Sequence, residues 1–247
     1  MNLITKYDSY KEGLPKTEIY GIVDKNIFQI NFDLEVNDKL TFDEINLFIY
    51  LSYMSSRATI YNGKRTVIGA DDVSLYKLIY KTSKLAGRYQ EKISKIHKSL
   101  NHLKRLRLIK SMLYIDREDI IIPDVEDNYG RLSPVTVESI IKISKGDALL
   151  KHIGVYAAMK STVYAGSTNT SVVEKNSKYI AHMLNTTSTT VDRHLKWLRD
   201  NKLICYFLCA SEKGTVRKYY YADLPDWENL RDNIKTKIKR EHIQLIA

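Results

Sequence analysis

Cysteine is scarce in this chain, with 2 among 247 residues. Both of them, Cys205 and Cys209, fall on one face of a single predicted strand, where two residues this far apart cannot meet the geometry of a disulfide. Two thiols with no nearby pair of histidines also make a poor zinc site. We therefore expect two buried, reduced thiols and no metal, as suits a cytoplasmic protein.

Long apolar runs are missing too. Residues 1–13 lack the apolar stretch of a signal peptide, and no segment approaches the roughly 20 apolar residues that span a bilayer. Apolar residues nevertheless make up 44% of the chain, which is enough for real cores. The sequence predicts a globular, cytoplasmic protein without a membrane segment, of one large domain or two of ordinary size.

Motifs of catalysis are also absent. The chain has no P-loop lysine motif, no dinucleotide glycine fingerprint, no HExxH and no GxSxG. Its 18 tyrosines include Tyr219 to Tyr221, but relaxases with a tyrosine nucleophile also need a His-apolar-His metal motif, a spacing that the 6 histidines never show. We expect no enzyme activity and no cofactor, and we interpret the tyrosines as core and phosphate-contacting residues.

Positive charge is in excess. Lys and Arg number 39 against 29 Asp and Glu, which gives a formal net charge of +10. This balance suits a polyanionic partner, nucleic acid first and an acidic membrane surface second. The net charge alone does not choose between them, so the arrangement of the cations has to decide.

The most informative stretch runs from Lys178 to Ala222. Two groups of apolar residues at helical spacing predict two successive helices: Tyr179, Ile180 and Leu184, then Val191, Leu195 and Leu198. Thr187, in the polar turn between them, is a good N-cap. After Leu203 the period changes to 2, which predicts a strand (204–210), a turn (211–214) and a returning strand (215–222). This is the layout of a winged helix-turn-helix, with a small helical bundle carrying a hairpin as the alternative.

The second of these helices has an outer face suited to DNA. Its apolar stripe leaves outside small hydrogen-bonding groups and then long cations: Ser188, Thr189, Asp192, Arg193 and Lys196. A helix that enters the major groove needs such a set, because small residues permit close approach and arginine can make two parallel bonds to a guanine edge. We predict Ser188, Thr189, Arg193 and Lys196 as base-reading residues and Thr187 as a DNA-backbone contact.

Three patterns of the first half of the chain recur in the second half in the same order. One is the apolar spacing of the basic helix and the strand after it: Ile96, Leu100, Leu103, Leu108 and Ile109 against Val191, Leu195, Leu198, Leu203 and Ile204. The other two lie upstream: Leu47-x-x-Tyr50 against Ile153-x-x-Tyr156, and Tyr20-Gly21 before a predicted strand (Ile27 to Phe32) against Tyr129-Gly130 before another (Val135 to Ile143). We infer a duplicated module.

The duplication predicts the domain organisation. We expect a lead-in (1–16), a first winged-helix domain (17–124), a second winged-helix domain (125–224) and a C-terminal amphipathic helix (225–247), with a boundary near Pro123 to Asn128. The first copy is longer where Asn62-Gly63 predicts a hairpin and Asp71 or Asp72 a helix N-cap, and the second has a looser counterpart from Thr162 to Val173. The predicted fold class is mainly α with small β-hairpins, an α+β fold of two tandem winged helix-turn-helix domains that form an internal pseudo-dimer.

The basic helix of the first copy, about residues 88–107, is the counterpart of the DNA-reading helix. From Gly87 to Lys110 there are eight Lys or Arg against one acid, Glu91. Such a helix repels itself unless a polyanion neutralises it, so a phosphate backbone is the predicted partner and a merely solvated basic face the alternative. Aligned with the second copy, Ser94 and Lys98 are predicted to read bases, as is Asn101, which like Lys196 comes one turn later and could contact either a base or phosphate. The DNA-backbone candidates on this helix are Arg88, Lys92 and Lys95.

The two predicted wings differ in charge. The second carries Lys213, Arg217 and Lys218 around Gly214, which suits contacts with phosphates or a minor groove. The first has an acidic tip, residues 116–119, which is too tight a turn to converge on a metal and which we expect to stay off DNA. Lys64 and Arg65 are predicted to make the backbone contacts in its place.

The order of these motifs resembles the winged helix-turn-helix modules of Gram-positive mobile elements. The residues that carry the likeness are Tyr-Gly, a strand, a helix with Tyr-x-x-[Tyr/Met]-x-Ser, and YIAHML-x-x-x-x-TTVDRHLKWLRDNKLI. Such modules occur in plasmid and phage replication initiators and in TraN-type regulators of conjugative transfer. The resemblance implies double-stranded DNA as the target. The first copy matches only in framework, since its helix-turn-helix loop around Ser83 to Gly87 departs from the pattern.

The sequence therefore predicts a sequence-specific double-stranded DNA-binding protein that is monomeric with an internal dimer, because linkage makes the second DNA contact intramolecular. Recognition helices that meet one face of DNA sit roughly 34 Å apart. We expect a repressor on a conjugative plasmid or other mobile element. The alternatives are a replication initiator that binds origin repeats with replication or transfer proteins as partners, and a protein-binding structural adaptor.

Overall fold

The computed structural model describes residues 21–24, 27–28, 38–85, 87–124, 129–162, 172–173, 176–212, 214 and 216–246. Over these residues the protein is of mixed α+β type, and helices predominate over small antiparallel sheets. The helices are α1 (Phe42–Met54), α2 (Asp72–Tyr80), α3 (Tyr89–Arg105), α4 (Pro134–Ile143), α5 (Gly146–Ser161), α6 (Ser177–Met183), α7 (Ser188–Asp200) and α8 (Trp227–Glu241).

The described strands are arranged in three sheets. β1 (Gly21–Asp24) pairs with β6 (Tyr129–Leu132). What we call the first sheet has the order β2 (Ser56–Ala58), β3 (Lys64–Val67), β5 (Arg117–Ile121) and β4 (Lys110–Tyr114). The second sheet has the order β8 (Arg217–Asp223), β7 (Ile204–Ala210) and β9 (Gln244–Leu245).

Local hydrogen bonds fix where the helices begin. Thr41 and Glu44 form a reciprocal capping box at α1, in which the Glu44 carboxylate accepts from the Thr41 N–H at 2.7 Å. Asp71 accepts from two N–H groups at the start of α2, and the Thr187 hydroxyl accepts from the Thr190 N–H at the start of α7. The predicted caps at Asp71 and Thr187 are thus confirmed.

The first half of the described chain (residues 38–124) and the second half (129–223) contain the same succession of elements. A long helix (α1 or α5) is followed by two helices joined by a short connection (α2–α3 or α6–α7) and by a hairpin (β4–β5 or β7–β8). In each half a residue close behind the shorter helix adopts a left-handed backbone: Lys81, directly after α2, has φ 52°, and Asn185, two residues after α6, has φ 49°. The extra strands correspond too, because β3 pairs with β5 and Val173 bridges to Tyr221 of β8.

The pairing of β1 with β6 shows how the two halves are related. The sequence repeat makes Gly21 the equivalent of Gly130, hence Ile22 that of Arg131 and Val23 that of Leu132. In the structure Ile22 lies opposite Arg131, Gly21 opposite Leu132 and Val23 opposite Gly130. When each residue is replaced by its equivalent in the other half, the same set of three pairs results. This is the property of an isologous two-fold contact. The halves therefore meet about a local pseudo-two-fold axis at this strand pair.

Helix α1 packs against α5, its equivalent in the other half. Ile45 and Ile49 of α1 and Ile153 and Ala157 of α5 are all fully buried. One core cluster contains residues of both halves, so the halves are joined by shared apolar burial rather than by a polar linker.

Helix α8 covers one face of the second sheet and buries its apolar stripe there. Trp227, Leu230 and Ile234 form a second core cluster with residues of β7 and β8, and β9 extends the sheet beside β7. Cys205 and Cys209 lie in this cluster as buried free thiols, as predicted. Burial raises the pKa of Cys209 to about 11 and that of Cys205 further still.

Several expectations about secondary structure were wrong. Residues 135–143, predicted as a strand, belong to α4, because Pro134 occupies the first helical turn and Val137 and Ile140 reach the core at helical spacing. Ile27 and Phe28, predicted as strand, are helical and buried, and the rest of that predicted strand lies outside the described residues. Tyr179, assigned to the apolar face of its helix, is 47% exposed.

The C-terminal helix is shorter than predicted. It ends at Glu241 instead of continuing to residue 247, and the short strand β9 (Gln244–Leu245) follows it. Residues 125–128 of the predicted boundary and 163–171 of the looser counterpart lie outside the described residues, so the domain limits stay predictions. Among the helices that the structure describes, none has the length and apolar character to cross a membrane.

Candidate nucleic-acid interface

Helices α3 and α7 present matching stripes of polar residues. On α7 the stripe is Thr189, Arg193 and Lys196, and on α3 it is Ser94, Lys98 and Asn101, with the same i, i+4, i+7 spacing. All six side chains are exposed, whereas Ser188 is half-buried. On each helix the structure therefore brings three predicted base-reading residues onto one face, and Ser188 lies outside the stripe of α7.

Each stripe lies on the side of its helix away from the core. At about 100° per residue, Thr189, Arg193 and Lys196 centre roughly 180° from the buried Val191, His194, Leu195 and Leu198. The α3 stripe has the same relation to Ile96, Ser99, Leu100 and Leu103. The apolar face that anchors each helix thus forces its polar stripe outward.

The cations of α3 are less free than the sequence predicted. Lys92 Nζ lies 2.9 Å from Asp147 Oδ2 and Lys95 Nζ lies 2.8 Å from Asp43 Oδ2, on the inner side of the helix. Lys104 pairs with Glu118 and Arg105 with Asp38. The count of eight cations against one acid therefore misled, because acids of other elements neutralise four of them. Lys92 and Lys95, predicted as DNA-backbone contacts, form ion pairs with α5 and α1 in this structure.

Helices α3 and α7 rest on the same junction between the halves. Lys95 of α3 reaches both Asp43 at the start of α1 and Asp147 at the start of α5, at 2.8 and 4.0 Å. His194 of α7 packs near Phe42 at the start of α1, with ring centroids 6.5 Å apart. Both helices therefore flank the point where the N-terminal ends of α1 and α5 come together.

Charge at this junction is set by burial and hydrogen bonding. Burial by itself would raise the pKa of Asp147, but hydrogen bonds from Tyr80 and Lys92 and the charge of Lys95 lower it overall. Burial lowers the pKa of His194 to about 4 and that of His152 to about 3. The junction is thus anionic at Asp147 and neutral at His152 and His194 near pH 7.

Hydrogen bonds organise part of each stripe. On α3, Asn101 Nδ2 lies 2.8 Å from His97 Nε2, and His97 Nδ1 lies 2.6 Å from Asp72 Oδ2. On α7, Lys196 pairs with Asp200 in the next turn. Within the described residues, neither Lys98 nor Arg193 has an ion-pair partner, so these two cations of the stripes are available to an external anion.

The predicted backbone contacts around the stripes divide into two groups. Arg88, Arg217 and Lys64 are exposed, and Thr187 is exposed while its hydroxyl caps α7. Arg65, in contrast, donates to the Ser52 carbonyl at 2.6 Å, and Lys218 is half-buried with its Nζ 5.0 Å from the centre of the Tyr220 ring. These internal contacts make Arg65 a structural residue, whereas Lys213 lies outside the described residues.

The hairpin of the first half does not have an acidic tip. Glu118 pairs with Lys104, and Asp119 is fully buried and accepts from the Tyr61 hydroxyl and the Gly69 N–H. The turn keeps one exposed acid, Asp116, beside the exposed Arg117, and its other exposed residues are apolar, with Leu113 79% and Ile115 78% exposed. The two acids lie on opposite faces of β5, Glu118 towards Lys104 and Asp119 beneath Tyr61, and these distant partners were not visible in a run of four polar residues.

The tyrosine triplet supports the core rather than the outer surface. Tyr220 and Tyr221 are buried, and Tyr219 lies under Arg199, whose Cζ is 4.4 Å from the ring centre. Arg199 also donates to the Tyr221 hydroxyl at 2.9 Å. Sequence reasoning missed this role of Arg199, since cation and ring are far apart in the chain.

In the part of the chain that the structure describes, no group of His, Cys, Asp or Glu is arranged to hold a metal ion. No protein-family model matches the chain, and neither does any curated protein or solved structure. Function is therefore inferred from the geometry of α3, α7 and the hairpins beside them.

Proposed function

We propose that the protein binds double-stranded DNA as an internal dimer of two winged helix-turn-helix modules, with α3 and α7 as recognition helices. One observation carries the proposal: equivalent helices of two halves related by a pseudo-two-fold axis expose polar stripes of identical spacing. Duplex DNA has two-fold symmetry of its own, so a two-fold pair of helices is suited to two half-sites.

The two stripes favour unlike half-sites. Arg193 and Lys196 present two cations after Thr189, whereas Lys98 is followed by Asn101 after Ser94. Arginine pairs bidentately with guanine and asparagine with adenine. The second half is therefore expected to select guanine, and the first half to accept adenine beside its lysine contact.

The exposed cations supply the electrostatic part of binding. Arg88, Lys98, Arg193 and Arg217 are exposed, and no described residue forms an ion pair with any of them. Each phosphate that such a residue neutralises contributes about −0.9 to the slope of log K against log salt concentration. Affinity should accordingly fall steeply with salt while sequence preference persists.

The test is selection of bound duplexes from a random pool, followed by titration of the selected duplex. Arg193→Ala should weaken binding by about 1–3 kcal/mol and relax selectivity at one half-site. The matched control is Arg240→Ala on α8, an exposed arginine off both stripes, which should change neither quantity. Equal, sequence-independent weakening by both variants would remove α7 from the base-reading interface.

We further propose that the biological role is repression at a promoter or operator of a mobile element. Footprinting distinguishes this role from replication initiation, since a single site over a promoter supports a repressor and several tandem sites at an origin support an initiator. Selection that yields no sequence preference over random duplex would instead support a protein-binding adaptor.

A further inference from the structure

An apolar hollow lies on the outer face of the first sheet. Its volume is about 470 Å³. The residues that line it come from β3, β4, β5 and the 3-10 helix Thr59–Tyr61 between β2 and β3, and they include Ile60, Tyr61, Lys64, Lys110, Met112 and Ile121. Ile60 is 46% exposed and Met112 45% exposed. None of these residues belongs to the proposed DNA-reading stripes, and Lys64 is the one predicted DNA-backbone contact among them, so the DNA proposal does not account for the apolar part of the hollow.

The internal repeat identifies the equivalent surface in the second half. Because Ile109 corresponds to Ile204, Lys110 and Met112 of β4 correspond to Cys205 and Phe207 of β7. The backbone supports this equivalence, since Arg107 and Lys202, three residues before Lys110 and Cys205, both have positive φ, at 58° and 56°. The hollow is therefore the same sheet face that lies beneath α8 in the second half.

The two equivalent faces differ in whether they are covered. In the second half, Cys205 and Phe207 are fully buried beneath α8, which contributes Trp227, Leu230 and Ile234. In the first half, only the short 3-10 helix Thr59–Tyr61 borders the hollow, and no α-helix of the described residues contributes to its lining. The same chain thus shows what kind of element covers such a face: an amphipathic helix laid across the strands.

We propose that the hollow of the first sheet docks an amphipathic helix of another protein, whose apolar stripe is flanked by acidic residues. Lys64 and Lys110 are exposed cations of the lining, against the one acid Asp124 among the lining residues described. A helix with Asp or Glu beside its apolar stripe complements that charge, as i, i+3/i+4, i+7 anchors complement the hollow.

A second copy's α8 does not meet these requirements. It is seated on its own sheet, with Leu230 and Ile234 fully buried. Residues 227–241 carry five Lys or Arg against three Asp or Glu, so this helix would bring net positive charge to Lys64 and Lys110. The occupant is therefore a helix of opposite charge, borne by a different protein.

The test measures binding of two labelled peptides to the full-length protein by fluorescence anisotropy. Both have the sequence of residues 227–241, and one carries Lys235→Glu, Lys237→Glu, Lys239→Glu and Arg240→Glu. The acidic peptide should bind saturably and at least about tenfold more tightly than the unaltered basic peptide, because charge complementarity selects between otherwise matched helices. Equal affinities, or no saturable binding of the acidic peptide, would overturn the proposal.

Variants of the protein locate the binding site. Met112→Asp and Lys110→Glu should each weaken the acidic peptide about tenfold, by putting a charge into the hollow or reversing its rim. The matched control is Leu113→Asp, one residue further along β4, whose exposed side chain does not line the hollow; it should leave affinity within about twofold. Loss in all three variants alike, or in none, contradicts the assignment of this face.

Two other occupants give distinct results. If a second copy covers the hollow, sedimentation will show a dimer that Met112→Asp dissociates. If the chain's own residues 1–16 cover it, only a variant lacking them will bind the acidic peptide. Either result overturns the proposal of a partner protein, and neither depends on DNA binding.

Discussion

Replacing Gly154 by alanine should destabilise the protein through the contact between α1 and α5. A Cβ at position 154 would overlap Oδ1 of Asn46 and lie 2.6 Å from its Cγ and 3.3 Å from its Cβ. The side chain of Asn46 cannot swing clear, because the crowding extends back to its own Cβ and the residue is fully buried. The glycine is needed for close approach of the two helices, not for an unusual φ.

The magnitude follows from two opposing effects. Gly→Ala in a helix interior gains about 1 kcal/mol from propensity, and overpacking of a core costs about 1–3 kcal/mol. The overlap is severe, so we expect the upper part of that range and a net loss of about 1–2 kcal/mol in the free energy of unfolding. Asn46→Ala alone should be nearly neutral, because the lost packing is offset by removal of two buried amide atoms without described partners.

The assay is a double-mutant cycle in urea, followed by the fluorescence of Trp197 and Trp227. Asn46→Ala combined with Gly154→Ala keeps only the 3.3 Å contact with the Cβ of residue 46, so most of the loss should be recovered. A coupling energy of about 1–2 kcal/mol is expected. Stabilisation by Gly154→Ala alone, with additive behaviour of the pair, would refute the packing of α1 on α5 at this point.

Three further predictions concern buried polar groups. His152 and His194 have folded pKa values of about 3 and 4 against about 6.5 when unfolded, so the unfolded state binds more protons and stability is lost as pH falls from about 6.5 towards 4. Urea unfolding at pH 7 and pH 5 should differ by about 2 kcal/mol per histidine, and His194→Leu should remove about half of the difference. Lys160→Met, which leaves the buried Asp223 without the ion pair at 2.6 Å, should cost about 3–5 kcal/mol in the same assay, and a loss below 1 kcal/mol contradicts a buried pair. A thiol reagent at pH 8 should modify neither cysteine of the native protein and both after denaturation, whereas rapid native labelling would show that the thiols are not enclosed by α8.

Signals that act within a few residues were readable from the sequence. Asp71 and Thr187 cap helices because each can reach an N–H two or three residues ahead. Asn62 and Gly63 form the predicted tight turn because both adopt positive φ, at 54° and 73°. The polar stripes of α3 and α7 were predictable for the same reason, since helical periodicity alone sets which residues share a face.

Features that depend on distant residues were not readable. Lys92 and Lys95 were predicted without ion-pair partners because those partners are distant in the chain: Asp147 lies on α5 in the other half, and Asp43 lies far upstream on α1. The β-branched residues of α4 suggested a strand, and only packing on the core decides for the helix. Whether the apolar face of the first sheet is covered is likewise a tertiary property, as the exposed Met112 shows.

The most direct test of the central claim is a hydroxyl-radical footprint of the full-length protein on a selected duplex. The account predicts two protected stretches about 10–10.5 base pairs apart, with Arg193→Ala relaxing selectivity in one and Lys98→Ala in the other. A single protected stretch that both variants affect alike, or protection that ignores sequence, would contradict two unlike recognition helices on one chain.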